Sequence, residues 1–424
     1  MTNVRHGVLF GARAAMIAIA LGALASCGGG NSGSFVGVGG GGGSGGGSPS
    51  GGNGLNQVAV TVDAGPAAAG GTVNTLYTSV TLCAPGSSTR CQTIDHVQVD
   101  TGSSGFRVLA SALGSGLQSS DLPQATDAFG NPLDECVQFA DGYSFGSVRS
   151  ADLVIGNETA ASIPVQVIGD PAAGAAPASC VQGPQENTVA TFGANAILGI
   201  GNFLTDCGIA CANAAIAGAY YDCPVTGTCT PVAQPVSGQL RNPVAAFAAD
   251  NNGVVIDLPA VTAPGATVSG TLLFGIDTQS DNVLPASATI FTLDPNYGTL
   301  DTFFNGTSYP SSFFDTGSNG YFFTDDTIPT CTDQPAFYCP SAVENLQASV
   351  QGAAGTQAVL SFSVDNADAD FATNAAALPN LAGPAGTGLQ GAFDWGMPFF
   401  YGQPVYVAFE SGAPAGVSGP WIGF

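Results

Sequence analysis

The sequence contains no lysine. Its basic side chains are six arginines (Arg5, Arg13, Arg90, Arg107, Arg149 and Arg241), set against 30 acidic residues, for a net charge of −24. A nucleic-acid groove needs clustered Lys and Arg to neutralise phosphates, so a nucleic-acid partner is excluded. Schiff-base and Ser-Lys chemistries go with the lysines. Histidine is almost as scarce: beyond His6, near the N-terminus, there is only His96. A multi-histidine zinc site cannot be assembled from one imidazole, and no metal site is expected. Any Ser-His-Asp or Cys-His arrangement must use His96, which lies on the strand entering Asp100 and reads as a partly buried, hydrogen-bonded structural histidine. No Cys-x-x-Cys occurs, which disfavours redox chemistry, and segments with helical periodicity are few. Paired carboxylates are nearly the only hydrolytic machinery left. With so few bases, the chain also gains little positive charge when its acids protonate, which suits acid tolerance. An acidic surface that keeps an exported protein soluble explains the same bias.

What is present is β-forming. Of 424 residues, 45% are hydrophobic and only 8% charged, and 61 Gly and 27 Pro supply turns. That length allows two or three domains and a large core. The composition points to a mainly all-β globule with many loops.

Arg5 and Arg13 precede the apolar run Ala14 to Ala25, too short to span a bilayer but suited to a signal-peptide core. Leu24-Ala25-Ser26-Cys27 follows and resembles a bacterial lipobox, with cleavage before Cys27 and acylation of its thiol. Ordinary secretory cleavage after Ala25 is the competing pattern. Parity favours the lipoprotein: eleven cysteines are odd, and removing Cys27 leaves ten for five bridges. Gly28 at the next position resembles lipoproteins sorted to the outer membrane. Residues 28–54 are nearly all Gly, Ser and Asn, a flexible tether with an r.m.s. span of about 30 Å. The expected divisions are thus a signal peptide at 1–26, lipidated Cys27 and tether at 27–54, and two β lobes at 55–240 and 241–424. Export places the cysteines where disulfides persist. Cys83/Cys91, Cys223/Cys229 and Cys331/Cys339 are close enough to clip short loops, whereas Cys136, Cys180, Cys207 and Cys211 pair in several possible ways.

The two-lobe division comes from a repeat. Asp100-Thr101-Gly102-Ser103-Ser104-Gly105-Phe106 recurs as Asp315-Thr316-Gly317-Ser318-Asn319-Gly320-Tyr321. Both copies follow apolar runs, Val97-Gln98-Val99 and Phe313-Phe314, and read as a strand entering a tight turn that carries an aspartate. Two facing lobes of this kind bring two carboxylates together, as general acid/base hydrolysis requires.

The pattern resembles the pepsin-like aspartic peptidases, a bilobal fold of two pseudo-symmetric, barrel-like β lobes with a cleft between them. Beyond the two turns, Asp141-Gly142-Tyr143-Ser144-Phe145-Gly146 resembles the flap hairpin with its tyrosine. Ala196-Ile197-Leu198-Gly199 and Phe393-Asp394-Trp395-Gly396 resemble the elements that thread beside each aspartate. Gly270 to Gly275 looks like a lobe-opening strand, and Val405 to Phe409 with Trp421 to Phe424 like lobe-closing ones. The likeness covers roughly residues 72–424, and the lipobox and Gly tract also resemble a bacterial lipoprotein family of unassigned function.

The resemblance implies an aspartic endopeptidase acting on a polypeptide bound as a strand. Asp100 and Asp315 would activate water, with no metal or organic cofactor. Thr101, Gly102, Ser103, Thr316, Gly317 and Ser318 would support the dyad, and Tyr143 would close over substrate. Both half-sites lie in one chain, so a monomer suffices, and the membrane is reached through the lipid alone. Three departures stand out: Arg107 replaces the tryptophan that usually bonds the flap tyrosine, Asn319 follows the second motif, and no basic pro-segment precedes the first lobe. They favour the alternative, a catalytically inactive lipoprotein that binds peptides or a partner in the same cleft. Asp365-Asn366-Ala367-Asp368-Ala369-Asp370 lacks the glycine and closing glutamate of an EF-hand loop and reads as a solvated loop.

Overall fold

A computed structural model describes residues 56–139, 142–224 and 227–424. The expected signal peptide, Cys27 and the expected tether, together with Asp141 of the segment expected to form the flap, lie outside the described residues. The regular structure of the described chain is mainly β-strand, with helices of no more than five residues. No described helix is long and apolar enough to cross a membrane.

Alternating and continuous apolar runs set the strands, and Asn and Gly set the reversals between them. Asn305-Gly306, both at positive φ (48° and 78°), turn strand Leu300–Phe304 back onto Thr307–Phe314. Two residues at φ > 0 are what a two-residue hairpin with native twist demands, and Asn-Gly tolerates them best. The long hairpin Tyr143–Ile155 and Glu158–Ile168 turns at Gly156, where glycine supplies the positive φ of 61°.

The strands form a fifteen-stranded sheet and a seven-stranded one. In the first half of the chain, Leu76–Cys83, Cys91–Asp100, Ser104–Leu109, the long hairpin and Ala196–Ile200 supply six of the fifteen strands of the larger sheet. In the second half, the smaller sheet gathers Thr307–Phe314, Tyr321–Phe323, Asp394–Trp395 and their neighbours.

Strand Gln57–Val62 joins the halves. It pairs antiparallel with Val268–Phe274 along its whole length, and through Thr61 and Val62 with Tyr77 and Leu76. Pro404–Ala408 and Trp421–Gly423, expected to close the second lobe, instead extend this shared sheet from Gly253–Asp257. Both are continuous apolar runs, buried from Val405 to Ala408 and from Trp421 to Gly423.

One core runs through both halves, from Val60, Val97, Val99 and Phe106 to Phe274, Phe314, Phe323 and Trp395. Each such buried side chain contributes about 1.5–3 kcal/mol. Under the second aspartate the core is aromatic, with Phe393 stacked on Trp395 at 4.4 Å and on Phe323 at 4.8 Å. Five disulfides clip the outer loops: Cys83–Cys91, Cys136–Cys180, Cys207–Cys211, Cys223–Cys229 and Cys331–Cys339. The three short-loop pairings are those expected from spacing, and the four remaining cysteines resolve as Cys136–Cys180 and Cys207–Cys211.

Candidate active site

Strand Cys91–Asp100 ends at the first aspartate, and its turn is clamped from behind. Ala196–Ile200 threads between Cys91–Asp100, to which it is parallel, and Ser104–Leu109, to which it is antiparallel. Gly199 sits opposite both Asp100 and Gly105. A Cβ there would lie 2.7 Å from the Ser103 hydroxyl and 2.9 Å from the Gly105 carbonyl, so only glycine permits the approach. The second turn has the same construction. Asp394–Trp395 runs parallel to Thr307–Phe314 and antiparallel to Tyr321–Phe323, and a Cβ on Gly396 would meet the Gly320 carbonyl at 2.1 Å.

The two turns meet face to face. The Thr101 N–H donates to the Thr316 hydroxyl at 3.1 Å, and the Thr316 N–H donates to the Thr101 hydroxyl at 3.0 Å. Each hydroxyl passes its own proton across the interface, Thr316 to the Val99 carbonyl at 2.8 Å and Thr101 to that of Phe314 at 3.4 Å. Gln98 adds a bond to the Gly317 carbonyl at 3.2 Å.

Asp100 and Asp315 are held alike. The Gly102 N–H donates to Asp100 Oδ1 at 2.8 Å and the Gly317 N–H to Asp315 Oδ1 at 2.7 Å. The Ser103 hydroxyl donates to Asp100 Oδ2, and that of Ser318 to Asp315 Oδ2 at 3.1 Å. The Asp315 carboxyl lies against the first turn, where a Cβ on Gly102 would sit 2.7 Å from its Oδ1, and each acid influences the other's titration. Both are fully buried.

Burial is also what most raises both acids above the ordinary carboxylate range. For Asp100 it is opposed by bonds from Ser103, Asp315 and Gly102. For Asp315, pushed further, the charges of Asp100 and Asp394 add to it. Two such groups titrate as one unit, with a single proton shared over part of the pH range.

Tyr143 is placed at the start of its strand, opposite Gln138, and is buried with Phe145, Tyr221 and the Cys136–Cys180 disulfide. Arg107 is buried too. Its guanidinium pairs with Glu135 at 2.7 Å and lies 3.6 Å from Asp206, whose carboxylate accepts from Tyr220 Oη at 2.8 Å. Arg107 thus sits among its own buried counter-charges. The Asn319 carbonyl accepts from Asn74 at 2.7 Å, which ties the second turn to the segment before the first hairpin. His96 lies between Asp95 and Asp63, at 3.0 and 3.7 Å, against the edge of Tyr77. In the acidic run 365–370, Asn366 caps the short helix Ala367–Phe371, with Asp368 and Asp370 in its first turn.

Sequence reasoning passed over one residue. Asp394 lies in the element quoted for its aromatics and glycine, yet its carboxyl is fully buried beside the dyad. The available signal was an acid inside an otherwise apolar segment.

Residues 52–424 match the family described as "Protein of unknown function (DUF3443)". The chain belongs to that family. No curated protein matches the sequence. Among solved structures the chain is similar to an aspartic proteinase from Irpex lacteus, at 14% identity and a TM-score of 0.44, over 87% of this chain and 96% of that one.

Proposed function

We propose that the protein is an aspartic-type endopeptidase in which Asp100 and Asp315 activate one water molecule. The observation that carries this reading is the reciprocal Thr101–Thr316 bonding, which sets two buried carboxyls on facing turns, with Asp315 packed against Gly102. An acid pair kept out of water is costly unless it shares a proton, and a shared proton is what the chemistry uses. The ionised member takes a proton from water, which attacks the scissile carbonyl. The protonated member gives its proton to the carbonyl oxygen, and a tetrahedral diol forms. Collapse of the diol expels the amine, which takes a proton from the pair. The substrate is an extended polypeptide, the active unit is a monomer, and no cofactor enters any step.

Five disulfides, the apolar leader and Cys27 support export and anchoring at the outer membrane by lipid. The complete burial of both acids favours a second reading, a binding module that keeps the dyad as a structural hydrogen bond. A statine-type hydroxyl that mimics the tetrahedral intermediate separates the two. An endopeptidase binds it at acidic pH with a rise in melting temperature that Asp315→Asn abolishes. No binding by a folded wild-type protein supports the binding module.

A further inference from the structure

Asp394 is buried without a counter-charge. It has no solvent exposure, and neither carboxylate oxygen makes a hydrogen bond of good geometry. The polar side chain acting on it is Ser318, whose one hydroxyl proton goes to Asp315.

Internal symmetry shows what is unusual. Two residues before its glycine, the first lobe places Ile197, opposite Gln98 and Arg107. The second lobe places Asp394 there, opposite Phe313 and Phe322. Packing alone is met by an isoleucine at this place, since the first lobe uses one. An acid among aromatics is a cost that packing does not explain.

The groups that face it are Ser318 and Asp315 on the adjoining turn and Asp100 across the lobe interface. Tyr321 lies on the paired strand, opposite Trp395. No described arginine reaches it: Arg90 is paired with Asp121, Arg107 with Glu135 and Asp206, Arg149 with Asp170, and Arg241 with the Ala245 carbonyl.

We propose that Asp394 is a third acid of this site, bridged to Asp315 by Ser318, so that three carboxyls share the protons a two-carboxyl site would hold. It is a positioning residue, acting on the dyad through Ser318 and through its charge. Three mutually repelling acids retain a proton to higher pH than two. Asp394 thereby extends the singly protonated dyad towards neutral pH. Burial holds Asp394 itself well above the ordinary carboxylate range, so Asp394 is one of the places where the retained proton sits.

The test compares wild type with Asp394→Asn, which keeps shape and removes the titration. Asp394→Ile, the residue of the first lobe, serves if the amide variant folds poorly. Two readouts are taken. The first, which rests on the peptidase reading, is the pH profile of peptide cleavage. The alkaline limb is expected to fall by about one pH unit in the variant, with the rate at the optimum changed only a few-fold. The second needs no activity: the melting temperature from pH 4 to 9, where the decline on raising pH is expected to be shallower in the variant. An inactive wild type leaves the melting readout decisive, and a shallower slope still supports the third acid while the peptidase reading fails. Equal slopes and an unmoved alkaline limb overturn the proposal.

Discussion

Thr101 and Thr316 each give a backbone N–H to the other's hydroxyl, at 3.1 and 3.0 Å, 215 residues apart in sequence. The dyad depends on this exchange, because all four groups are buried and each hydroxyl is both donor and acceptor.

Removing either hydroxyl strands a buried N–H on the opposite lobe. Thr101→Val and Thr316→Val are each expected to cost about 1–3 kcal/mol in urea unfolding. The double variant should cost less than the sum, since both changes break one network. Additive losses would mean that the two turns are held independently.

Stability should fall as pH rises from acid to neutral. Burial raises Asp100, Asp315, Asp394, Asp206 and Asp134. Asp134, where the charge of Asp170 adds to burial, reaches about 7. A carboxyl raised in the native state holds a proton that the unfolded chain has released. Its stabilisation is complete below the unfolded value, near pH 4, and is lost as pH climbs through the folded one, about 7 for Asp134. Asp170 acts in the opposite sense: burial raises it, but Ser147, the Ala172 N–H and Arg149 outweigh burial and lower it. Its contribution is lost as pH falls below the unfolded value. Calorimetry from pH 3 to 8 should place the highest melting temperature near pH 4–5, with a decline of several degrees by pH 8. A maximum at neutral pH would contradict the raised acids.

Much of this site was legible in the sequence because its determinants are local. The repeated turn and the glycines Gly199 and Gly396 mark places where backbone must pass close to backbone, and no other residue fits them. Partner choice over long range was not legible. Gln57–Val62 alternates as a strand, but alternation does not say that it will pair with Val268–Phe274. Four cysteines allow three pairings, and only the fold brings Cys136 to Cys180. Asp394 was hidden differently: the aromatics around it satisfied the expected pattern, so its charge went unweighed.

Arg107 is the positive charge of a buried cluster with Glu135 and Asp206. Arg107→Met should destabilise by about 3–5 kcal/mol, because it leaves two acids buried without a cation. Adding Glu135→Gln and Asp206→Asn should recover a large part of that loss in the same unfolding experiment. No recovery would mean that the guanidinium matters for packing rather than charge.

The Cys136–Cys180 bridge closes the longest of the five loops, with a sequence separation of 44. Replacing both cysteines by serine should cost about 4 kcal/mol by the loop-entropy relation. The equivalent change at Cys207 and Cys211, separated by 4, should cost less. Equal losses would show that local packing, not loop closure, sets the effect.

Peptide cleavage from pH 3 to 7, by wild type and by Asp100→Asn and Asp315→Asn variants verified as folded, tests the central claim most directly. Cleavage by wild type, reduced at least a hundredfold in each variant, is the predicted result. A folded wild type that cleaves nothing across that range, or a variant that cleaves as well as wild type, would contradict it.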